Sequence, residues 1–243
     1  MIQPFRKAPT GRRGLLLWIA LGIAGGGTPA LAENSLRLGG DVRTGNTEVE
    51  TYKSALTLEG EFGQDKFGFT ERWNHNRVNR KATTNLLRMR TGYDWFHQEE
   101  WSPFIFAEYE EDQVNELLYD HQTGGGLKWT YYRGEVFKGS ISGAGLHRRI
   151  KYRESKEKSN DTWSIRPKFK WKTERFSMLL VSYYQPNVKD SNDYKTNSVF
   201  SVSYRVEKTI EIFYEIENIY RNKVEGTVRK NNNFITFGLG VFF

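Results

Sequence analysis

The sequence predicts an all-β fold, a closed antiparallel transmembrane β-barrel of about twelve strands, with ten or fourteen as the alternatives. Three observations predict it. Past residue 33, apolar side chains recur at every second position, and no stretch sustains a 3.6-residue period. Several alternating stretches run ten or more residues, against about five or six for a strand of a soluble sheet. The connections alternate between short and long, as the turns and loops of a membrane barrel do.

The first 32 residues stand apart from this pattern. Arg6, Lys7, Arg12 and Arg13 precede an apolar run from Leu15 to Ala24, a Gly/Pro break and the small-residue motif Ala30-Leu31-Ala32. That is the plan of a secretory signal peptide cleaved after Ala32. The run is short of the roughly 20 residues that a membrane-spanning helix needs. Two segments follow: residues 1–32 as signal peptide and 33–243 as barrel. The formal charge of +7 sits mostly in this leader, which leaves the remainder near +3 and argues against a nucleic-acid partner. Absence of cysteine excludes a disulfide framework, a thiol nucleophile and a zinc–cysteine site.

Twelve strands are expected, over 36–43, 49–61, 67–76, 84–96, 101–111, 121–133, 136–150, 161–172, 175–185, 194–206, 210–221 and 232–243. In 49–61 the apolar set is Tyr52, Leu56 and Leu58, opposed by Lys53, Thr57 and Glu59. In 161–172 Trp163, Ile165, Phe169 and Trp171 oppose Ser164, Arg166, Lys168 and Lys170. In 210–221 Ile210, Ile212, Tyr214 and Ile216 oppose Glu211, Glu215 and Glu217. Strands 136–150 and 175–185 alternate poorly, so their facing is left open. The last strand keeps Ile235, Phe237, Leu239, Val241 and Phe243 on one face to the final residue. A strand that must pair with the first to close a barrel cannot fray, and an aromatic ending is similar to the signal that barrel-assembly machinery reads.

Short turns fall near 63–66, 98–100, 133–135, 173–175 and 207–209, and long polar stretches near 76–83, 112–120, 151–160, 185–193 and 221–231. Aromatics gather toward both strand ends, as in the girdles of a barrel that contacts lipid and lipopolysaccharide. An even strand number places both termini on the periplasmic side of a bacterial outer membrane.

The stretch "LRLGGDVRTGNTEVETYKSALTLEGEF", with its Thr-Gly-Asn-Thr hairpin at 44–47, resembles the uncharacterised family of salt-induced outer-membrane proteins. The segments "TNLLRMRTGYDWF", "WSPFIFAEYEED" and "TGGGLKW" are similar to that family's middle strands. The resemblance implies an outer-membrane barrel and supplies no substrate or catalytic residue.

Inward parity gives the candidate lumen-lining residues Arg72, Arg88, Arg90, Glu108, Lys128, Arg166, Lys168, Lys170, Arg205, Glu211, Glu215 and Glu217. The same parity turns Arg37, Asp41, Arg43, Lys53, Glu59, Glu61, Asp94, Glu110 and Lys195 inward. Facing lipid near mid-bilayer, each charge would cost on the order of a few kcal/mol, so these side chains line water or pair. Pairing is expected between neighbours: Glu211, Glu215 and Glu217 beside the strand bearing Lys195 and Arg205, and Lys53 and Glu59 between those bearing Arg37 and Arg72. Arg166, Lys168 and Lys170 would form a cationic wall and the three glutamates an opposing one, the transverse field of a weakly selective diffusion pore. Closed ladders would instead plug the barrel and suit a structural or adhesive surface protein.

No catalytic, cofactor or metal set is expected, and the leading function is a non-catalytic envelope barrel that forms a narrow pore for small hydrophilic solutes or ions. The alternative is a barrel hydrolase acting on lipid or lipopolysaccharide. His75 follows Trp73 in parity, faces lipid or the interface and has no serine at a convincing height. His97 lies in a short turn, and His147 lies on a strand of open facing. The glycines at 124–126 and the Gly143-Ala144-Gly145 run open no helix, so they are not phosphate loops.

Overall fold

Alternation becomes strand throughout the computed structural model, which describes residues 30–31, 34–43, 49–79, 81–114, 116–224 and 230–243. The leader before Ala30, residues 32 and 33, the 44–48 hairpin and the side chains of Asp41 and Arg43 lie outside the described residues. A two-residue strand β1 (Ala30–Leu31) precedes β2 (Ser35–Arg43), β3 (Val49–Phe62), β4 (Asp65–Val78), β5 (Lys81–Asp94), β6 (Trp101–Asp112) and β7 (Leu117–Arg133). Then come β8 (Phe137–Tyr152), β9 (Lys158–Lys172), β10 (Phe176–Pro186), β11 (Tyr194–Arg205), β12 (Ile210–Arg221) and β13 (Asn231–Phe242).

Strands β2 to β13 form a closed antiparallel barrel of twelve, each paired with its sequence neighbour and β13 with β2. Closure runs through Phe237 opposite Gly40, Leu239 opposite Leu38 and Val241 opposite Leu36. The terminal residue is held as well, since the Phe243 amide donates to the Asn34 carbonyl at 3.1 Å. Closing the sheet leaves no edge strand whose unpaired amides would meet hydrocarbon.

The strands mostly reach further toward the long connections than hydrophobic alternation alone indicates. β5 begins at Lys81 rather than 84, β7 at Leu117 rather than 121 and β9 at Lys158 rather than 161. Residues 81–83 and 158–160 carry no apolar stripe to mark them, whereas β7 starts on Leu117, which is buried, and Leu118, which is exposed, two apolar neighbours that break the period of two. The short connections remain tight; Gly63 turns between β3 and β4 at φ +63°, a left-handed conformation that glycine adopts without strain.

The apolar stripe faces outward. Leu38, Trp101, Ile105, Trp163, Ile165, Phe237 and Leu239 are all exposed, Phe237 at 59%. Two aromatic belts border this face. At the short-turn end Trp101 stacks on Trp129 at 5.7 Å, Trp129 meets Tyr131, and Phe137 meets Phe169. At the long-loop end Tyr52, Trp73 and His75 form one cluster and Tyr184, Tyr194 and Tyr220 another. The glycines at 124–126 serve backbone approach: a Cβ on Gly126 would come within 1.9 Å of the Gly143 carbonyl oxygen on β8.

Candidate functional site: a divided lumen

The inward face sorts into two halves. Toward the long loops, six cations, Lys53, Arg72, Arg88, Arg148, Lys195 and Arg221, meet four carboxylates, Glu110, Asp120, Glu215 and Glu217. Arg88 is the hinge of this network. Its Nε and Nη2 donate to Glu110 Oε2 at 3.0 and 2.9 Å, and its Nη1 donates to Glu217 Oε1 at 2.8 Å. Glu110 also accepts from Lys195 at 3.0 Å and from Arg221. Glu217 accepts from Lys53 at 3.2 Å, and Lys53 in turn reaches Glu215. Asp120 takes both arms of Arg148, at 2.9 and 2.7 Å.

These contacts cross the barrel. Glu110 is on β6 and Arg221 on β12, six places apart in a ring of twelve, so their pair spans the lumen. Glu110, Asp120 and Glu217 are completely buried as a result. Above the network, near the long-loop rim, Leu86, Ile219 and Phe234 pack into a small apolar cluster.

This geometry overturns the expected neighbour ladders. Glu215 and Glu217 ignore β11 and bind Lys53, Arg72 and Arg88, while Lys195 crosses to Glu110. Glu211 pairs with Arg37 at 2.6 Å across an intervening glycine, Gly240, which lies in register with both. A side chain on Gly240 would strike Glu211 at 2.8 Å. The glutamate wall is therefore consumed by cations from elsewhere and opposes nothing.

Toward the short turns the lumen opens into a basin of about 480 Å³. Arg90, Glu108, Lys128, Arg166, Lys168 and Lys170 line it, with Arg72 and Arg88 at its roof. Glu108 pairs with Arg90 at 3.0 Å and Lys128 with Asp94 at 2.6 Å. Arg205 lies over the Phe242 ring at 4.7 Å, beside the terminal strand. The stripe Ile235, Phe237, Leu239, Val241 and Phe243 belongs to β13 and its C-terminal residue, on the opposite parity from the buried Phe234 and Thr236.

Several network members escaped sequence reading. By alternation Asp120 falls in the polar stretch 112–120, Arg221 at the start of 221–231, and Arg148 on the strand 136–150 of open facing. β8 hid its sidedness because its inward positions include Ala144 and Leu146, packed on Phe106, while its outward ones include His147 and Arg149. The signal that finds them is continuation of parity from Lys128 and Arg166 through register into the loop-proximal rungs.

The histidines also separate. His75 stacks on Trp73 at 5.6 Å within the belt. His97 joins a turn through the Gln64 carbonyl at 2.8 Å. His147 differs: its Nδ1 lies 2.9 Å from Asp161 Oδ1 and its Nε2 lies 3.1 Å from Ser159 Oγ. All three side chains share the outer face of β8 and β9, because His147 stands opposite Asp161 and Ser159 opposite Arg149. Beside them is a groove of about 390 Å³, lined in part by Trp163 and Val188.

Closed topology, an outward apolar band with aromatic belts and a charged interior define a β-barrel of the outer-membrane type. The chain belongs to the family described as Protein of unknown function, DUF481, whose model matches residues 36–243. No curated protein matches it. Among solved structures, the NanC porin superposes with a TM-score of 0.54 at 13% identity, covering 86% of this chain and 98% of that one. The KdgM porin covers 87% of this chain and 99% of that one at 11% identity, with a TM-score of 0.48. The likeness to the NanC porin is one of fold.

Proposed function

We propose that this protein is a narrow pore of the bacterial outer membrane for small hydrophilic solutes or ions, in its closed arrangement. The reading takes residues 1–32 as a signal peptide and places both termini in the periplasm. Lipid and lipopolysaccharide surround the barrel, and the barrel-assembly machinery engages the terminal strand. It also takes the chain as one of the salt-induced outer-membrane proteins that its hairpin resembles.

The observation that carries the reading is the open, charge-lined basin beneath a polar closure. A barrel built only to be a sealed wall gains little from buried ion pairs. Packed apolar residues of similar volume are often neutral or more stabilising, by about 1–4 kcal/mol. A polar filling can rearrange and pass water and ions where an apolar one cannot. The fold is shared with the NanC porin, so a porin uses this architecture.

Conductance in planar bilayers tests it. Refolded protein should give small, brief steps. Arg221→Ala removes one of the links across the lumen while leaving Glu110 its Arg88 and Lys195 partners, and should give larger or longer steps. Silence from both proteins overturns the pore and leaves a sealed envelope barrel.

One observation favours a second reading, an ester hydrolase at the outer face. Ser159, His147 and Asp161 stand in the order of nucleophile, base and orienter. The Asp161 carboxylate would hold Nδ1–H, leaving Nε2 to take the serine proton, and exposed Arg149 opposite Ser159 offers positive charge to a developing oxyanion. The hydrolase alternative thereby moves from His75 to His147. Hydrolysis of a phospholipid ester by refolded protein, abolished in Ser159→Ala, is the expected result, and a wild-type protein inert toward esters removes this reading.

A further inference from the structure

The basin is unevenly charged. Ten lysines and arginines line it and only three carboxylates, Glu59, Asp94 and Glu108. Each of the three is already bound: Glu59 to Lys66 at 2.6 Å, Asp94 to Lys128 at 2.6 Å and Glu108 to Arg90 at 3.0 Å. The roof cations Arg72, Arg88 and Lys195 belong to the network above. Among the described residues, no carboxylate forms an ion pair with Lys138, Arg166 or Lys168.

These three side chains occupy one patch of wall on β8 and β9. Lys168 stands opposite Ser140 and Arg166 opposite Ser142, while Lys138 directly faces Lys170. Like charges facing one another across a ladder destabilise it. Burying charge without a partner adds to that cost, and Arg166 Nε is buried with no acceptor among the described residues. The fold nevertheless fixes Arg166 in place, with its guanidinium 4.8 Å from the centre of the Tyr183 ring and Arg90 5.7 Å from the same ring. A ring orients these cations and neutralises neither.

We propose that this wall is a binding site for a small organic polyanion, one carrying two or more carboxylate or phosphate groups, whose charge completes the patch. Arg166 and Lys168 are two residues apart on one strand face, a separation of about 6–7 Å along the strand. That suits two anionic groups of one molecule better than a single monovalent ion. Ser140 and Ser142 supply hydroxyl donors between them. Val181 and Val199 on the same lining give a carbon skeleton an apolar side to rest on. The volume of about 480 Å³ falls within the roughly 300–1,000 Å³ range of metabolite-sized sites. The site rests on the pore reading only for how the solute enters and leaves.

Calorimetric titration of the refolded, detergent-solubilised barrel at low ionic strength tests the site without reference to conductance. Citrate, and inorganic pyrophosphate as its phosphate counterpart, should bind saturably at one site, and the polycation spermidine should not. Arg166→Gln combined with Lys168→Gln should weaken citrate at least tenfold. Without citrate the same variant should melt at or above the wild-type temperature, because a repulsion has been removed; a merely structural wall would lose stability. Should the double variant fail to refold, Lys138→Gln, nearer the mouth, carries the same comparison. No saturable anion binding by folded wild type, or undiminished binding by the variant, overturns the site. Citrate binding without conductance keeps the site and rejects the pore, whereas conductance without anion binding keeps the pore and rejects the site.

Discussion

In the long-loop half of the lumen Arg88 holds Glu110 at 2.9 Å and Glu217 at 2.8 Å; in the short-turn half Arg166 has a tyrosine ring at 4.8 Å and, among the described residues, no carboxylate pair. Both are inward arginines on neighbouring levels of one barrel. The difference lies in where the carboxylates sit. Glu110, Asp120, Glu215 and Glu217 come from β6, β7 and β12 and converge on one network, whereas the acids that line the basin, Glu59, Asp94 and Glu108, sit one to a strand, each paired with a cation of its own. One half spends its charge on itself, and the other keeps an excess facing water. The lesson is that charge composition of a barrel interior says little until its height is known.

The largest expected effect tests the closed half. Glu110→Ala would leave Arg88, Lys195 and Arg221 buried around a missing partner. Breaking a buried pair in this way costs about 3–5 kcal/mol. Urea unfolding of the barrel in lipid vesicles should show a loss of that size, and a loss below about 1 kcal/mol would mean that the network is as soft as a surface pair. In contrast, Lys66→Gln in the open half breaks a pair whose members keep 27% and 34% of their side-chain surface. Screening limits such pairs to about 0–1 kcal/mol, and the same unfolding measurement should barely register the change. Equal losses from the two variants would erase the distinction between the halves.

Much of this was legible in residue order. Period-two alternation located the twelve strands, and Phe237, Leu239 and Val241 do pair with the first barrel strand to close the ring. Parity alone, however, gives a direction and not a partner. Glu217 reaches Arg88 because two strands five places apart around the ring face each other across it, and that depends on diameter, tilt and register together. Ser159 and His147 lie on adjacent strands and meet through a register that no local pattern specifies. Strand ends were the other blind spot. Arg148 sits between outward His147 and Arg149, where the stripe has turned polar, and Asp120 and Arg221 adjoin the loop ends of their strands, where a period of two has few residues left to run through.

The smallest expected effect lies outside both halves, at the rim. Lys223 in the connection after β12 donates to Asp190 in the connection between β10 and β11. That hydrogen bond, and then the Asn192 amide, hold the Asp190 carboxyl below its ordinary value, while the same contact raises Lys223. A depressed carboxyl contributes fully above its ordinary range, and the contribution is lost as pH falls through the lowered value. A raised ammonium contributes fully below its ordinary range, and that part is lost as pH rises through the raised value. The latch between the two loops should therefore hold across neutral pH and release only in acid or strong alkali. Both groups are well exposed, and Asn222 still ties the loops by donating to the Asn192 carbonyl at 2.6 Å. Release should thus loosen the rim without unfolding the barrel. Amide exchange at Asn222, followed against pH in wild type and Asp190→Asn, is the measurement. An acid-induced rise in exchange that persists unchanged in Asp190→Asn would assign the rim's response to some other group.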